Sequence, residues 1–271
     1  MRTAQFRLLF TGVLVAVLSA AVFANHSWGG YHWARTSNPF TLKVGDNVST
    51  QWDTYLDGAL LDWNQAAELN LTEVAGGANP KNCRPTAGQI EVCSSRYGNT
   101  GWLGIAQIWI TGGTHITQAV TKLNDTYFNT ATYNTPAWRR LVTCQEVAHD
   151  FGLDHQDETF NNPNLGSCMD YTNDPDGGGF YGPSNEHPNQ HDFQELASIY
   201  AHLDSTTTVG ATLPNNAPAA MTQIGLDGPG QWGRLVSSSR NGRSQTFELD
   251  FGRGHKVITH VFWADPQHDL Q

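Results

Sequence analysis

The sequence predicts an α+β fold. Segments with two-residue alternation and segments with three- and four-residue apolar spacing follow one another in the order strand, helix, strands, helix, loop, helix. With 39% hydrophobic residues among 271, the chain can bury a sizeable core, and the 15% of charged residues excludes a highly charged disordered protein. A formal net charge of −10 offers no basic surface to phosphates, so nucleic acid is not expected as a partner.

Residues 1–24 read as a cleaved secretory signal: Arg2 and Arg7 precede an apolar run from Leu8 to Leu18, and Val22-Phe23-Ala24 supplies small residues where a signal peptidase cuts. The run is shorter than the ~20 residues of a spanning helix, so a secreted, extracellular protein without stable membrane insertion is expected. An oxidising compartment turns Cys83, Cys93, Cys144 and Cys168 into two disulfides. Cys83 and Cys93 flank the turn Arg84-Pro85-Thr86-Ala87-Gly88, which favours a local bridge and leaves Cys144 for Cys168. A four-cysteine zinc site is the alternative, but no C-x-x-C pair supports it.

In chain order, Phe40 to Val44 alternates like a strand and stops at the turn Gly45-Asp46-Asn47. From Thr50 to Leu69 the spacing of Trp52, Tyr55, Leu56, Ala59, Leu60, Trp63 and Ala67 predicts an amphipathic helix. Gln89 to Cys93 and Ile105 to Thr111 are rich in strand-forming residues, and His115 to Asn124 reads as an edge strand. Thr135-Pro136 opens a helix that ends at Gly152, with an N-cap followed by proline at the first helical position. A polar loop from Asn161 to Asn189 leads to a last helix over Asp192 to Leu203. The Ser- and Thr-rich segment from 205 to 218 is expected to be a linker, and 219–271 a small β appendage with a hairpin at Gln245–Asp250 and Val257–Trp263. The main domain would then span 25–204.

The chemistry concentrates in Cys144-Gln145-Glu146-Val147-Ala148-His149-Asp150-Phe151-Gly152-Leu153-Asp154-His155. Gln145 and His149 lie four apart on a helix and share a face that one metal ion can reach. Gly152 can end the helix in the left-handed conformation and return His155 to the same point. Glu146, beside the first ligand position, is placed to accept a proton from a metal-activated water.

These residues resemble the metzincin clan of zinc metallopeptidases, whose pattern is H-E-x-x-H-x-x-G-x-x-H followed by a methionine turn. Glu146, His149, Gly152 and His155 match that pattern, and Ser167-Cys168-Met169-Asp170-Tyr171 is similar to the methionine turn. The resemblance implies a metzincin-like catalytic domain with a mixed twisted sheet, Zn2+ as cofactor, protein or peptide as substrate, and Glu146 as general base. It also implies Met169 beneath the metal and Tyr171 near the metal or the oxyanion, as in astacin- and serralysin-like members. The helix from Asp192 is similar to the last helix of matrixin-like domains.

Gln145 departs from the pattern, and a neutral amide oxygen is a weaker zinc ligand than an imidazole. Three readings stand open: Gln145 ligates zinc through its oxygen, it only hydrogen-bonds while His149, His155 and water hold the ion, or the chain is a non-catalytic secreted binding protein on the same fold. Elsewhere, His187 and His191 are expected to cap and pack, His115 to lie on the surface, Asn173-Asp174-Pro175-Asp176-Gly177 to form a loop, and Trp102, Trp109 and Trp138 to be core.

Overall fold

The computed structural model describes residues 26–224 and 226–266. The expected signal segment lies outside the described residues. In chain order the elements are β1 (His32–Trp33), β2 (Phe40–Asn47), α1 (Asp53–Trp63), β3 (Leu69–Ala75), β4 (Ile90–Ser95), β5 (Trp102–Thr111), β6 (His115–Asn124), α2 (Asp125–Phe128), α3 (Pro136–His149), α4 (Gln190–Ile199), α5 (Ala219–Gln223), β7 (Arg234–Ser238), β8 (Ser244–Gly252) and β9 (His255–Trp263). The α+β expectation is met. All strands join one nine-stranded sheet of order β3-β2-β4-β6-β5-β9-β8-β7, and β1 pairs with the start of β6. The strands from β3 to β6 run parallel, and from β6 through β5 to β7 they are antiparallel.

Several sequence expectations are corrected. The helix predicted over Thr50–Leu69 stops at Trp63, because Leu69 to Ala75 alternates and pairs in parallel with β2. The expected edge strand β6 is interior, flanked by β4 and β5. Residues 219–266 are no appendage: β9 hydrogen-bonds along β5 from Trp102 to Ile110, so the last strands continue the main sheet. Nor is 205–218 a free linker throughout, since Thr208 N donates to Ala34 O at 2.9 Å and Gly210 N to Gly88 O at 2.8 Å.

All ten residues of β5 are buried, because both faces of the sheet are covered. Leu103, Ile108 and Ile110 face the core under α1 and α3, joined by Ile258 and Phe262 of β9. Trp102, Ile105 and Trp109 enter a second core with Val257, Val261, Met221 and Trp232. The parity of β9 therefore puts His260, between Ile258 and Phe262, on the face beneath α3. The bridges Cys83–Cys93 and Cys144–Cys168 are both present, as the sequence predicts.

Candidate metal centre

Helix α3 starts as its sequence dictates: the Thr135 hydroxyl accepts from Trp138 N at 3.2 Å, and Pro136 occupies the first turn. Its last two turns lie on the sheet where β5 has no bulk. A Cβ on Gly104 would stand 2.7 Å from both Val142 Cγ1 and Glu146 Cγ, so glycine is required for this approach. After His149 the chain turns at Gly152, whose φ is +101°, and a side chain there would collide with the Tyr31 carbonyl. The reversal brings His155 back against His149, with Nε2 to Nε2 at 3.0 Å.

The third member of the cluster is His260 of β9. One ligating nitrogen from each of His149, His155 and His260 lies within 4.8 Å of the others, and all three residues are buried. The His149 Nδ1 contacts the Leu153 carbonyl at 2.7 Å, and the His155 Nδ1 contacts Glu158 Oε1 at 3.2 Å. Such outer partners fix the tautomer and leave Nε2 of each ring for an ion. Tetrahedral ligands about 2.0–2.1 Å from zinc stand roughly 3.3 Å apart, close to the His149–His155 separation. Burial, with the neighbouring rings, holds the pKa values of His149 and His260 well below the ordinary histidine range, so both are neutral donors.

Polar atoms without partners lie on the same elements as these rings. Both carboxylate oxygens of Glu146, the Gln145 Oε1 and the His260 Nδ1 are buried with no hydrogen bond. The Tyr171 hydroxyl is in the same state, and Ser244, which approaches it, gives its proton to Glu158 at 2.8 Å. Buried groups left unmatched in this way are costly unless an ion, water or ligand meets them. Three imidazoles close to an unpartnered carboxylate are a donor set that fits a divalent zinc ion. Burial and the adjacent Asp150 push the Glu146 carboxyl well above the usual range, and burial together with Glu146 raises the Tyr171 phenol, which stays protonated.

Of the sequence-predicted residues, His149 and His155 meet in the cluster, whereas Gln145 has its amide engaged elsewhere. Gln145 is fully buried, and its Nε2 donates to the Cys168 carbonyl at 2.8 Å, tying α3 to the Ser167–Tyr171 turn. Met169 lies buried in that turn, and the Tyr171 ring is 4.4 Å from that of His155. His260 was missed because its strand reads as part of an appendage; the only available signal was its place between inward-facing Ile258 and Phe262. His191 packs as expected, stacked on His26 at 4.8 Å, while Asn189 and Asp192 form the capping box of α4.

The indole of Trp28 lies flat on His149, with ring centroids 5.0 Å apart and planes 5° from parallel, and it also touches His260. A cavity of about 530 Å³, lined by Glu158 to Asn161 and Ser238 to Asn241, opens beside the cluster at Glu158.

No family model matches the sequence, and no curated protein matches it. Among solved structures the chain is similar to high choriolytic enzyme 1, a hatching-enzyme zinc protease from the medaka fish Oryzias latipes. The match has 12% identity and a TM-score of 0.35, covering 63% of this chain and 94% of that one.

Proposed function

We propose that the chain is a secreted zinc-dependent endopeptidase on a metzincin-like domain, with His149, His155 and His260 as ligands and protein or peptide as substrate. The observation that carries this reading is the convergence of three buried imidazoles, with the buried Glu146 carboxylate, both oxygens unpartnered, on the same helix as His149. When bound, zinc supplies Lewis-acid polarisation and a lowered pKa for water. Glu146 accepts the proton of the attacking water and delivers it to the leaving amine, a role suited to a buried carboxyl whose proton affinity burial and Asp150 increase. The protonated Tyr171 phenol donates to the carbonyl oxygen as negative charge develops there. Gln145 braces the Ser167–Tyr171 turn instead of holding the ion. Substrate reaches the site through the cavity at Glu158. Two disulfides suit an oxidising compartment, and among the described residues no helix is long and apolar enough to cross a membrane.

Zinc content and peptide hydrolysis of the wild type and Glu146→Gln test this reading. The variant should keep its zinc and lose roughly 10²- to 10⁴-fold in rate. An unchanged rate would sink the assignment. The complete burial of the cluster under Trp28 favours a second reading, a non-catalytic binding protein that uses the same zinc structurally. That reading requires stoichiometric zinc and no hydrolysis by the wild type.

A further inference from the structure

A second group of ligating side chains lies where the start of the described chain meets the end of α4. His32 comes from β1, His115 from the first position of β6, and His202 and Asp204 from the segment that follows α4. The pairing of β1 with β6 sets His32 opposite His115, and Asp204 N donates to the Arg35 carbonyl at 2.9 Å, which lays residues 202–204 beside β1. Ligand atoms of His32, His202 and Asp204 are thereby brought within 4.8 Å of one another, with His115 beside Asp204.

Their polar atoms face one another. His202 Nε2 is 3.1 Å from His32 Nε2, and Asp204 Oδ1 is 3.5 Å from His32 Nε2, 3.3 Å from His115 Nε2 and 3.8 Å from His202 Nε2. A tetrahedron of nitrogen and oxygen ligands around zinc, with bonds of about 2.0–2.1 Å, has edges of roughly 3.3 Å, so these separations bracket the required value. The ligand orientations are also set from outside. His32 Nδ1 contacts the Gly30 carbonyl at 2.8 Å, which assigns the proton to Nδ1 and turns the Nε2 lone pair inward. Asp204 Oδ2 is held by Arg35, accepting from its backbone N at 3.2 Å and from Nη1 at 3.1 Å, which leaves Oδ1 for the imidazoles.

Asp204 is the one carboxylate here, already matched by Arg35, and His32 and His202 meet nitrogen to nitrogen, where two neutral rings share a single proton. A cation meets every lone pair at once. Three nitrogens and one oxygen suit zinc better than calcium or magnesium, which prefer all-oxygen shells.

We propose that His32, His202, Asp204 and His115 form a second, structural zinc site, in which the partly exposed His115 side chain turns to complete the shell. Side-chain exposure rises from 7% at His32 and 10% at Asp204 to 32% at His115 and 53% at His202. Two anchored ligands thus wait for two that can close from solvent. The ion would clamp β1 to the end of α4 across a separation of about 170 residues, closing a long loop. It would also hold in place the segment whose Trp28 covers the first cluster.

Zinc loading of the intact mature chain, read by elemental analysis and by thermal melting with and without chelator, tests the proposal. The wild type should hold two zinc ions per chain. His202→Ala, at an exposed position, and His115→Ala, at a partly exposed one, should each hold one, with zinc affinity at the lost site reduced by roughly 100-fold or more. Those variants should also lose part of the rise in melting temperature that zinc gives the wild type. His260→Ala should remove the other ion, so a failure of this site and a failure of the proposed peptidase site are told apart. Zinc content unchanged by His202→Ala and His115→Ala would overturn the second site, as would a wild-type stoichiometry of one that only His260→Ala abolishes.

Discussion

Gln145 and His260 are given different parts in the proposed metal centre, and substitution should separate them. His260→Ala removes one of three imidazoles and should abolish stoichiometric zinc binding, whereas Gln145→Ala should leave stoichiometry intact. The cost of Gln145→Ala is structural: the buried Cys168 carbonyl loses its donor, worth about 1–3 kcal/mol in denaturant unfolding. Zinc loss in Gln145→Ala with retention in His260→Ala would reverse the two roles. Asp170, in the same turn, carries a pH signature. Burial raises its carboxyl to about 6, against hydrogen bonds from Leu165 N and Asn185 that favour the ionised form, and its Oδ1 has no partner. Because the folded value lies above the unfolded one of about 3.9, the contribution of this group to stability is complete below pH ~4 and is lost as pH rises through 6. Asp170→Asn keeps an acceptor oxygen for Leu165 N and cannot ionise. It should therefore gain about 1–3 kcal/mol on the wild type between pH 4 and pH 7, and a stability difference independent of pH would exclude this account.

At the scale of elements, α3 is held at its end by three separate ties: the disulfide to Cys168, the Gln145 amide, and the Trp63 Nε1 of α1, which donates to the Cys144 carbonyl at 3.1 Å. Replacing Cys144 and Cys168 together by alanine should cost about 2–5 kcal/mol and weaken zinc binding, because only the Gln145 hydrogen bond then ties the Ser167–Tyr171 turn to the helix. Calorimetry and zinc titration of that variant check both effects. The segment from His26 to Trp33 acts as a cover. It is fastened by Trp28 N to the Gly152 carbonyl at 3.0 Å and by the Trp33 indole to the Asp150 carbonyl at 2.9 Å. Trp28→Ala should destabilise the chain by about 3–5 kcal/mol, as expected for loss of a buried indole, and should speed zinc release to a chelator. An unchanged release rate would show that the indole does not seal the centre.

At the scale of the whole molecule, the sheet is one cooperative body. Ending the chain at Gly210 would strip β9 from β5, expose Ile105 and Trp109, and remove His260. The truncated chain should be insoluble or unfolded and without zinc at the first centre, because an uncovered apolar edge strand pairs with other chains. A soluble, zinc-loaded product would show that residues 211–266 are a separable unit after all. The local signals proved readable where one segment carries its own reason: the Thr135-Pro136 helix start, the Gly152 reversal that returns His155, and the two disulfides. Other elements were hidden. The alternation of Leu69 to Ala75 was absorbed into the apolar spacing of the preceding helix, and only parallel pairing with β2 makes it a strand. Strand β6 and the Thr208 segment gave no sign of what they would pair with, since a strand's neighbours are not encoded in its own pattern.

By itself, then, the sequence determined that His149 and His155 come together at the end of the helix that carries Glu146, because helical spacing and a glycine turn act over a dozen residues. Only the tertiary structure decided the third imidazole. His260 reaches the cluster through the register of β9 on β5 and through strand parity under α3, both set by burial across more than a hundred residues of intervening chain. For the same reason His32, His115, His202 and Asp204 are unremarkable in the sequence and meet only when β1, β6 and the end of α4 pack together.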